Sequence, residues 1–260
     1  VHTMYLVTGG AGFIGSHITE TLVKQGKRVR VIDNLSSGTL ANLKGFSSRI
    51  EFIKGDILDE EKLKWVFKAK PEIVYHLAAH FANQNSVDNP ETDLMVNGLG
   101  TVKVLEYSHL ARVSRFVFAS SGCSVYGSQA PLPLKEDFVS LHLDTPYQIT
   151  KLLGELYCNY YYNYFGLPVA IARYFNIYGP GEIPGAYRNV IPNFTYWALH
   201  KKKLPITGTG EETRDFTFVE DIVDGTLRLG VLPEAIGDAF NLASETETKV
   251  IDIANMVNQL

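Results

Sequence analysis

A tyrosine and a lysine at the start of one predicted helix are the side chains best placed to move a proton. Tyr147 and Lys151 are one turn apart and share a face of the helix predicted over 147–165. They follow a predicted strand that ends in the hydroxyl groups of Ser120 and Ser121. A phenol is a poor base at neutral pH, but an adjacent ammonium favours its ionised form. Because such pairs arise by chance in many helices, this one gains weight only from its position after the serine-rich strand end.

A glycine-rich turn near the N-terminus indicates nucleotide binding. Gly9, Gly12 and Gly15 follow a predicted strand, 4–8, and lead into a predicted helix, 12–25. Glycines at this spacing let the backbone turn sharply, approach a pyrophosphate closely and pack the helix against the strand. The first N–H groups of the helix would then hold the phosphate charge.

An acidic residue lies at the position where the dinucleotide-binding fingerprint places one. The second predicted strand, 28–33, ends in Asp33, about 20 residues after the glycines, where a carboxylate accepts hydrogen bonds from ribose hydroxyls. The same carboxylate repels a 2′-phosphate, so NAD is predicted rather than NADP. Arg28 and Arg30 could weaken that preference, or be solvated on an edge strand. The alternative is a structural turn with an N-capping Asp33.

With NAD beside it, Tyr147 gains a second reason to ionise, since the oxidised nicotinamide also favours the phenolate. A tyrosine tuned in this way can take or return the proton of a sugar hydroxyl while a hydride passes to or from the cofactor. The two motifs together therefore predict redox chemistry at a sugar carbon.

Strand and helix patterns alternate along most of the chain, which predicts an α/β fold with a doubly wound parallel sheet. The predicted strands are 4–8, 28–33, 50–54, 72–78, 115–121 and 168–173, and the predicted helices are 12–25, 60–69, 92–111 and 147–165. Regularity is lost after residue 173, where 215–218 and 239–242 resemble isolated strands. We therefore expect an NAD-binding domain over 1–173 with a returning segment near 215–240, and a smaller substrate-binding subdomain over 174–214 and 241–260.

Residues that follow other strands point to the same edge of the sheet. Asp56 and Ile57 follow the third strand, where the carboxylate could accept from an adenine amino group or serve only in a turn. Leu77, Ala78 and Ala79 end the fourth strand with small side chains that permit close approach of a cofactor. His76 and His80 are four residues apart, but on a strand end without a third ligand they do not predict a metal site.

Composition excludes several classes of protein. The 260 residues carry a net charge of −4 and are 45% hydrophobic, which gives no basic footprint for nucleic acid. No apolar run reaches the roughly 20 residues of a membrane span, and the first strand begins too early to leave room for a signal peptide. Two cysteines cannot form a disulfide framework. We expect a soluble, cytoplasmic protein.

These motifs resemble the extended short-chain dehydrogenase/reductase group, in particular its NAD-dependent epimerase/dehydratase family. The chain is most similar to the 4-epimerases of UDP-hexoses and UDP-hexuronates. The resemblance covers nearly all 260 residues and extends to three further segments, Asn97-Gly98-Leu99-Gly100-Thr101, Arg173-Tyr174-Phe175-Asn176-Ile177-Tyr178-Gly179-Pro180 and Arg214-Asp215-Phe216-Thr217-Phe218-Val219-Glu220-Asp221.

The resemblance implies a role for each site residue. Tyr147 would be the acid/base, Lys151 would hold the nicotinamide ribose and lower the pKa of the phenol, and Ser121 would bind the reacting hydroxyl. Ser120 and Ser124 are rivals, because an extra residue before Val125-Tyr126-Gly127 makes a count back from the tyrosine end at Gly122. The implied NAD contacts are Gly9, Gly12, Phe13, Ile14, Gly15, Asp33, Asn34, Ser37, Gly38, Asp56, Ile57, Leu77, Ala78, Ala79, Asn97, Ser120, Tyr147, Lys151 and Tyr174.

The implied substrate is a nucleoside-diphosphate sugar held by Ser121, Tyr147, Asn176, Asn189, Val190, Ile191 and Arg214. An arginine fork suits a diphosphate, although Arg214 could instead pair with Asp215 or Glu211. The resemblance also implies further elements after Leu260, so we expect the substrate subdomain to be incomplete or reduced.

The loop after the strand serines bears on the reaction. Gly122-Cys123-Ser124 carries no carboxylate, whereas the family's dehydratases and decarboxylases have one there. A site with only Ser, Tyr and Lys can oxidise and re-reduce one carbon, so the prediction is C4 epimerisation through transient oxidation by NAD. A reductase or 3,5-epimerase, a decarboxylase, a dehydratase and a non-catalytic NAD-binding module remain as alternatives.

The predicted helix 147–165 carries unusual aromatic surface. Its aromatic residues point around most of the helix, which is more than one face can bury against the sheet; they are Tyr157, Tyr160, Tyr161, Tyr162, Tyr164 and Phe165. In the family this helix and the one matching 92–111 pair with their copies, so a homodimer is predicted. The alternative is that the tyrosines lie over the sheet with their hydroxyls in water.

Overall fold

The computed structural model describes residues 3–260, and its centre is a seven-stranded parallel sheet. Its strands are β1 (Met4–Thr8), β2 (Arg28–Asp33), β3 (Ile50–Lys54), β4 (Ile73–His76), β5 (Arg115–Ser121), β6 (Val169–Tyr174) and, after two strands elsewhere, β9 (Ala239–Leu242). The order across the sheet is β3-β2-β1-β4-β5-β6-β9, with every neighbouring pair parallel. The order reverses between β1 and β4, the point at which a doubly wound sheet opens a crevice for ligands.

A second sheet has three strands and lies in the C-terminal part of the chain. It consists of β7 (Asn176–Tyr178), β8 (Thr213–Phe218) and β10 (Glu247–Lys249), in the order β10-β8-β7. Strand β8 is parallel to β7 and antiparallel to β10. A small apolar core centred on Phe194, Ile253 and Ala254 lies in the same subdomain.

Ten α-helices flank the sheets within residues 3–260. They are α1 (Phe13–Lys24), α2 (Glu60–Phe67), α3 (Asn83–Asp88), α4 (Pro90–Asp93), α5 (Thr101–Leu110), α6 (Gly122–Val125), α7 (Pro146–Phe165), α8 (Val190–Leu199), α9 (Val219–Val231) and α10 (Val250–Gln259). Short 3-10 helices cover Leu40–Leu43, Ser47–Arg49 and Pro233–Ala235, and a π-helical segment, Leu94–Gly100, joins α4 to α5. No helix in this part of the chain is both long and apolar enough to cross a bilayer.

The sequence defines the start and end of α7 clearly. Thr145 and Gln148 form a capping box, in which the threonine side chain accepts from the Gln148 N–H and the glutamine side chain accepts from the Thr145 N–H. Pro146 occupies the first turn, where its missing N–H costs nothing. Gly166 ends the helix with a φ of 69°, a conformation that suits glycine. The capping box fixes the first turn of α7, which carries Tyr147.

The fold class predicted from the sequence is confirmed, and the differences concern particular elements. The predicted helix 92–111 is divided into α4, the π-helical segment and α5. The segments 215–218 and 239–242 are not isolated strands, because they lie within β8 and β9 and pair in the two sheets. Helix α9 was not predicted, yet it buries Val219, Ile222, Val223 and Leu229 against the main sheet.

Helix α7 exposes an aromatic face. Tyr157, Tyr160, Tyr164 and Phe165 are all at least 36% exposed. Tyr161 is different, because it is 5% exposed and its hydroxyl donates to Glu106. Exposed apolar side chains of the neighbouring π-helical segment and α5 are Leu94, Met95, Leu99 and Leu110.

Candidate functional site

A cleft of about 1170 Å³ runs across the carboxyl ends of the large sheet. It brings together most of the residues that the sequence analysis assigned to one site: Gly9, Gly12, Phe13, Ile14, Gly15, Asp33, Asn34, Ser37, Asp56, Ile57, Leu77, Ala78, Ala79, Ser120, Ser121, Tyr147, Lys151, Tyr174 and Asn189. Six predicted residues do not line it: Gly38, Asn97, Asn176, Val190, Ile191 and Arg214. The glycine turn and the Tyr147–Lys151 pair therefore open into the same space.

The glycine turn between β1 and α1 forms a cradle that side chains would fill. Gly9 has a φ of +70°, and a Cβ there would lie 2.7 Å from the backbone nitrogen of Ala78. A Cβ on Gly15 would overlap the carbonyl oxygen of Gly9. Gly12 precedes α1 without a side-chain cap, so the first N–H groups of the helix stay available to a ligand. The turn fits a pyrophosphate held on a helix N-terminus.

Asp33 is held rigidly at the end of β2. Its two carboxylate oxygens accept from the N–H groups of Ala11 and Leu35, at 2.9 and 2.8 Å. The side chain is 8% exposed and lines the cleft. Because each carboxylate oxygen has a second lone pair, Asp33 can still accept from a ribose diol.

The two arginines of β2 are occupied elsewhere. Arg28 and Arg30 both pair with Glu51 on β3, and Arg30 also donates to the carbonyl of Val66 and lies 4.8 Å from the ring centroid of Trp65. They are therefore committed to neighbours other than Asp33. Nothing in their contacts offsets the repulsion of Asp33 for a 2′-phosphate.

Asp56 and Gly38 support the cradle in different ways. The carboxylate of Asp56 accepts from the N–H of Leu58 and from the side-chain amide of Asn34, both at 2.8 Å. It therefore forms the turn before α2 and also lines the cleft. Gly38 does not line the cleft, but a Cβ there would come within 2.7 Å of the Ala11 backbone, so this glycine lets the following loop pack on the glycine turn.

Tyr147 and Lys151 lie buried at the start of α7. The Lys151 Nζ donates to the carbonyl of Ala119 at 2.8 Å and lies 5.5 Å from the centroid of the Tyr147 ring. Burial lowers the pKa of Lys151 to about 8. Burial raises the pKa of Tyr147 above its ordinary value, and the charge of Asp93 raises it further. In the protein alone, burial is the largest influence on the pKa of the Tyr147 phenol.

The serines at the end of β5 point in different directions. Ser120 donates to Glu155 at 2.5 Å beneath the sheet edge, and Ser124 is fully buried and donates to the Ser121 hydroxyl at 2.9 Å. A Cβ on Gly122 would enter the ring of the phenylalanine that follows β6. Ser121 is thus the serine of this segment that stays partly exposed and lines the cleft.

Asn97 does not line the cleft, but it hydrogen-bonds the backbone of His80, which does. Its side-chain amide accepts from the His80 N–H at 2.7 Å and donates to the His80 carbonyl at 3.0 Å and to Asp93 at 2.8 Å. The residue is 3% exposed and lies in the π-helical segment, a local distortion that is frequent at functional sites. Asn97 therefore fixes the backbone that follows β4.

The predicted substrate residues are divided between the cleft and the subdomain core. Asn189 lines the cleft, and its side-chain amide donates to Glu182 at 2.9 Å. Val190 and Ile191 begin α8 and pack toward Phe194 in the small core. Their side chains therefore pack in the small core and do not line the cleft.

Asn176 and Arg214 also lie outside the cleft. The side-chain amide of Asn176 contacts the Sγ of Cys123 at 3.7 Å. Arg214 is exposed on β8 and donates to the carbonyl of Thr213 at 2.6 Å. Within residues 3–260, Arg214 forms neither of the ion pairs that the sequence allowed, with Asp215 or Glu211.

The cleft includes side chains that the sequence analysis did not assign to it. Among them are His80, Phe81, Glu91, Glu182, Tyr187 and Arg188. His80 was considered only as a partner of His76 in a metal pair. The ring nitrogens of His76 are instead bonded to Thr8 and Thr101, at 2.7 and 3.0 Å, and the side chain is 1% exposed. His76 is therefore a core residue, whereas His80 belongs to the site.

Comparisons with known proteins agree with a nucleotide-binding cleft of this kind. The model of the NAD-dependent epimerase/dehydratase family matches residues 5–243. A solved epimerase from Methanothermobacter thermautotrophicus is 59% identical, with a TM-score of 0.97 over 99% of this chain and 76% of that one. A UDP-glucose 4-epimerase of Mycolicibacterium smegmatis is 38% identical over 95% of this chain and 79% of its own length.

The relatives do not all catalyse one reaction. A UDP-N-acetyl-alpha-D-glucosaminuronate decarboxylase of Bacillus cytotoxicus is 36% identical over 98% of this chain and 79% of its own length. Sequence identity alone therefore does not separate the reaction types. The match to the family model extends over more than half of the chain and over both the cradle and the Tyr147–Lys151 pair. This chain belongs to the NAD-dependent epimerase/dehydratase family, and NAD is its cofactor.

Proposed function

We propose that the protein is a nucleotide-sugar 4-epimerase, with a UDP-hexose or UDP-hexuronate as the favoured substrate. The observation that carries the proposal is that the cofactor cradle, Ser121, Tyr147 and Lys151 all line one cleft. The 4-epimerase among the relatives supports it. The loop Gly122-Cys123-Ser124 places no carboxylate beside Ser121. Elimination of water from C5 and C6 would need one there.

Each residue of the cleft has its own role in the proposed reaction. The glycine cradle, Asp33 and Lys151 would hold NAD, which would supply a hydride acceptor and donor for C4 of the sugar. Ser121 binds the C4 hydroxyl, and Tyr147 removes its proton and gives it back, so the step is acid–base catalysis by one phenol. Lys151 stays cationic near neutral pH because it has a pKa of about 8, and it binds the nicotinamide ribose. Asn189 contributes an amide toward the diphosphate, about which the keto sugar rotates.

Ionisation of Tyr147 needs a cause outside the protein's own charges. Burial raises the pKa of the phenol, so the free protein keeps Tyr147 protonated at neutral pH. The positive charge of an oxidised nicotinamide and the Lys151 ammonium would both favour the phenolate.

Other reactions on the same scaffold are the alternatives. A reductase would consume external NADH, a decarboxylase would release carbon dioxide from a hexuronate, and a dehydratase would lose water. A non-catalytic NAD-binding module would have no use for the Tyr147–Lys151 pair. The decarboxylase relative makes the hexuronate reaction the principal rival.

We also propose that the protein acts as a homodimer through α7 and the helical segment ending in α5. The exposed aromatic face of α7 and the exposed leucines beside it supply a continuous apolar contact. An isologous contact would bury this face on both subunits.

A panel of UDP-, GDP-, CDP- and dTDP-sugars tests the proposal. Binding is first detected as a rise in melting temperature, because a ligand of the folded state stabilises it. Sugar products are then separated by chromatography with and without added NADH. The proposal requires a C4 epimer without added NADH. Dependence on NADH would indicate a reductase, and carbon dioxide would indicate a decarboxylase.

A further inference from the structure

The segment between β7 and α8, residues 179–189, forms part of the wall of the cleft and is called the strap below. It contains neither helix nor strand. Each of its residues from 182 to 189 lines the cleft. One wall of the ligand site is therefore a segment that is held in place by side-chain and packing contacts, because no helix or sheet fixes its backbone.

The end of the strap that follows β7 is fixed to the cofactor side of the cleft. The Pro180 carbonyl accepts from the Nε2 of His17 at 2.7 Å. His17 lies on α1, the helix that begins at the glycine cradle, and its ring packs edge-on against Phe13, with centroids 5.8 Å apart. A Cβ on Gly179 would lie 2.6 Å from the side chain of Val219, which is a core residue. This end is therefore tied to α1 and packed closely on the core.

The other end of the strap contacts the side of the cleft that carries the proposed acid–base residue. The Tyr187 hydroxyl donates to the Oδ2 of Asp88, the last residue of α3, at 2.8 Å. The guanidinium of Arg188 lies 5.8 Å from the centroid of the Phe81 ring. Phe81 packs edge-on against the ring of Tyr147, with centroids 6.0 Å apart. This end of the strap is thus one aromatic ring away from Tyr147.

The two ends are tied to helices on either side of the crevice in the main sheet. Helix α1 follows β1, and α3 follows β4. Strands β1 and β4 are neighbours at the point where the strand order reverses, and a doubly wound sheet binds its ligands there. The strap therefore spans the ligand crevice from the cofactor side to the Tyr147 side.

The tie to α3 is the weaker of the two. In the described part of the chain, the bond from Tyr187 to Asp88 is the one hydrogen bond between the strap and α3. Tyr187 is 38% exposed and Asp88 is also exposed, so water competes for both groups. The end at α1 has the close packing of Gly179 on the core in addition to its hydrogen bond.

The turn that carries Tyr187 does not depend on this bond for its shape. The side-chain amide of Asn193, on α8, accepts from the Gly185 N–H at 2.8 Å. It also donates to the carbonyls of Gly185 and Arg188, at 3.0 and 3.2 Å. Loss of the Tyr187 hydroxyl therefore releases the strap from α3 without unfolding the turn.

We propose that Tyr187 and Asp88 form a latch, which opens the strap on the Tyr147 side to exchange the nucleotide sugar while the tie between His17 and Pro180 retains NAD. The inference rests on the proposed function. Epimerisation consumes no NAD, so only the nucleotide sugar has to enter and leave at each turnover. A strap that opens at its α3 end alone permits that exchange and keeps the cofactor side covered.

The test measures the release of radiolabelled ligand from the NAD-loaded protein during a chase with unlabelled ligand. The sugar probe is UDP-glucose or UDP-glucuronate, whichever binds more tightly. Tyr187→Phe should release the sugar about fivefold faster than the wild type, because a hydrogen bond to a carboxylate is lost. The same variant should release NAD at the wild-type rate. His17→Ala, which frees the other end, should release NAD faster.

Tyr196→Phe is the matched control. Tyr196 is 39% exposed and does not line the cleft, and its hydroxyl has no hydrogen-bond partner among residues 3–260. This variant should release both ligands at the wild-type rates.

A double variant tests whether the two residues act as one latch. If they do, the protein with both Asp88→Ala and Tyr187→Phe releases the sugar no faster than the faster single variant. Increases that multiply would show that the two residues act separately, and would overturn the latch.

Two further results would overturn the proposal: sugar release from Tyr187→Phe at the wild-type rate, or NAD release from it that rises as much as sugar release. A sugar that is released as expected but is not epimerised would instead refute the proposed function and leave the latch standing. Binding of neither UDP-glucose nor UDP-glucuronate would refute both.

Discussion

Replacing Tyr147 with phenylalanine should separate catalysis from stability. Within residues 3–260 the phenol hydroxyl makes no hydrogen bond to the protein, and the ring packs against Phe81. Tyr147→Phe therefore removes the proton-transfer group without leaving an unpaired partner, so the free energy of unfolding should change by no more than about 0.5 kcal/mol. Turnover should fall by at least about 10²-fold, which is a barrier increase of about 2.7 kcal/mol.

Tyr126 provides a matched control with the opposite pattern. Its hydroxyl donates to Asn241 at 2.7 Å and accepts from Arg173 at 2.9 Å, and the side chain is 1% exposed. Tyr126→Phe leaves the buried Arg173 and the partly buried Asn241 without that partner, which should cost about 1–3 kcal/mol of stability. Because Tyr126 does not line the cleft, the turnover of the Tyr126→Phe enzyme should stay within a few-fold of that of the wild type.

The assay pairs urea unfolding with steady-state turnover for both variants. Saturating NAD is present in every unfolding experiment, so that bound cofactor stabilises each variant alike. A Tyr147→Phe enzyme with near wild-type turnover would refute the assignment of the base. Unfolding of Tyr147→Phe at much lower urea would show that the hydroxyl has a structural partner, and the separation of the two tyrosines would fail.

Three further predictions concern the cofactor and the assembly. NAD affinity and turnover should fall as pH rises through about 8, because the pKa of Lys151 is lowered to that value and its ammonium is lost above it; Lys151→Met should lose both at every pH, and a flat profile up to pH 9 would contradict this. Asp33→Ala should lower the affinity for NAD more than the affinity for NADP in fluorescence titrations. An equal loss of both affinities would show that the carboxylate does not bind the ribose hydroxyls. Tyr164→Glu, at a side chain that is 74% exposed, should shift a homodimer toward monomer in light scattering, and a wild-type monomer at micromolar concentration would refute the assembly; Tyr161 is unsuitable because it is buried.

Local patterns were sufficient to predict the main sheet and the cofactor cradle. The glycine spacing before α1 and the acid at the end of β2 are properties of contiguous segments, and both lie where the sequence indicated. The strand at 239–242 was predicted, but its place in the main sheet was not, because that place is defined by pairing with β6. Helix α9 was missed because its apolar stripe follows directly on β8 without a side-chain cap.

Side-chain placement in the site depended on contacts that no segment encodes alone. The hydroxyl of Ser120 is bonded to Glu155, which lies 35 residues further along the chain. Asn97 is directed to the His80 backbone by a π-helical distortion that helical periodicity does not reveal. The position of His80 in the wall of the cleft was not predicted, because its backbone is held by Asn97 from a different element.

The most direct test of the account follows the hydrogen at C4. A nucleotide sugar that the protein converts is supplied with deuterium at C4, without added NADH, and both epimers are examined by NMR. Transient oxidation with return of the same hydride predicts that deuterium stays at C4 in the substrate and in the inverted product. Inversion with loss of that deuterium to solvent, or turnover without inversion at C4, would contradict the proposed 4-epimerase.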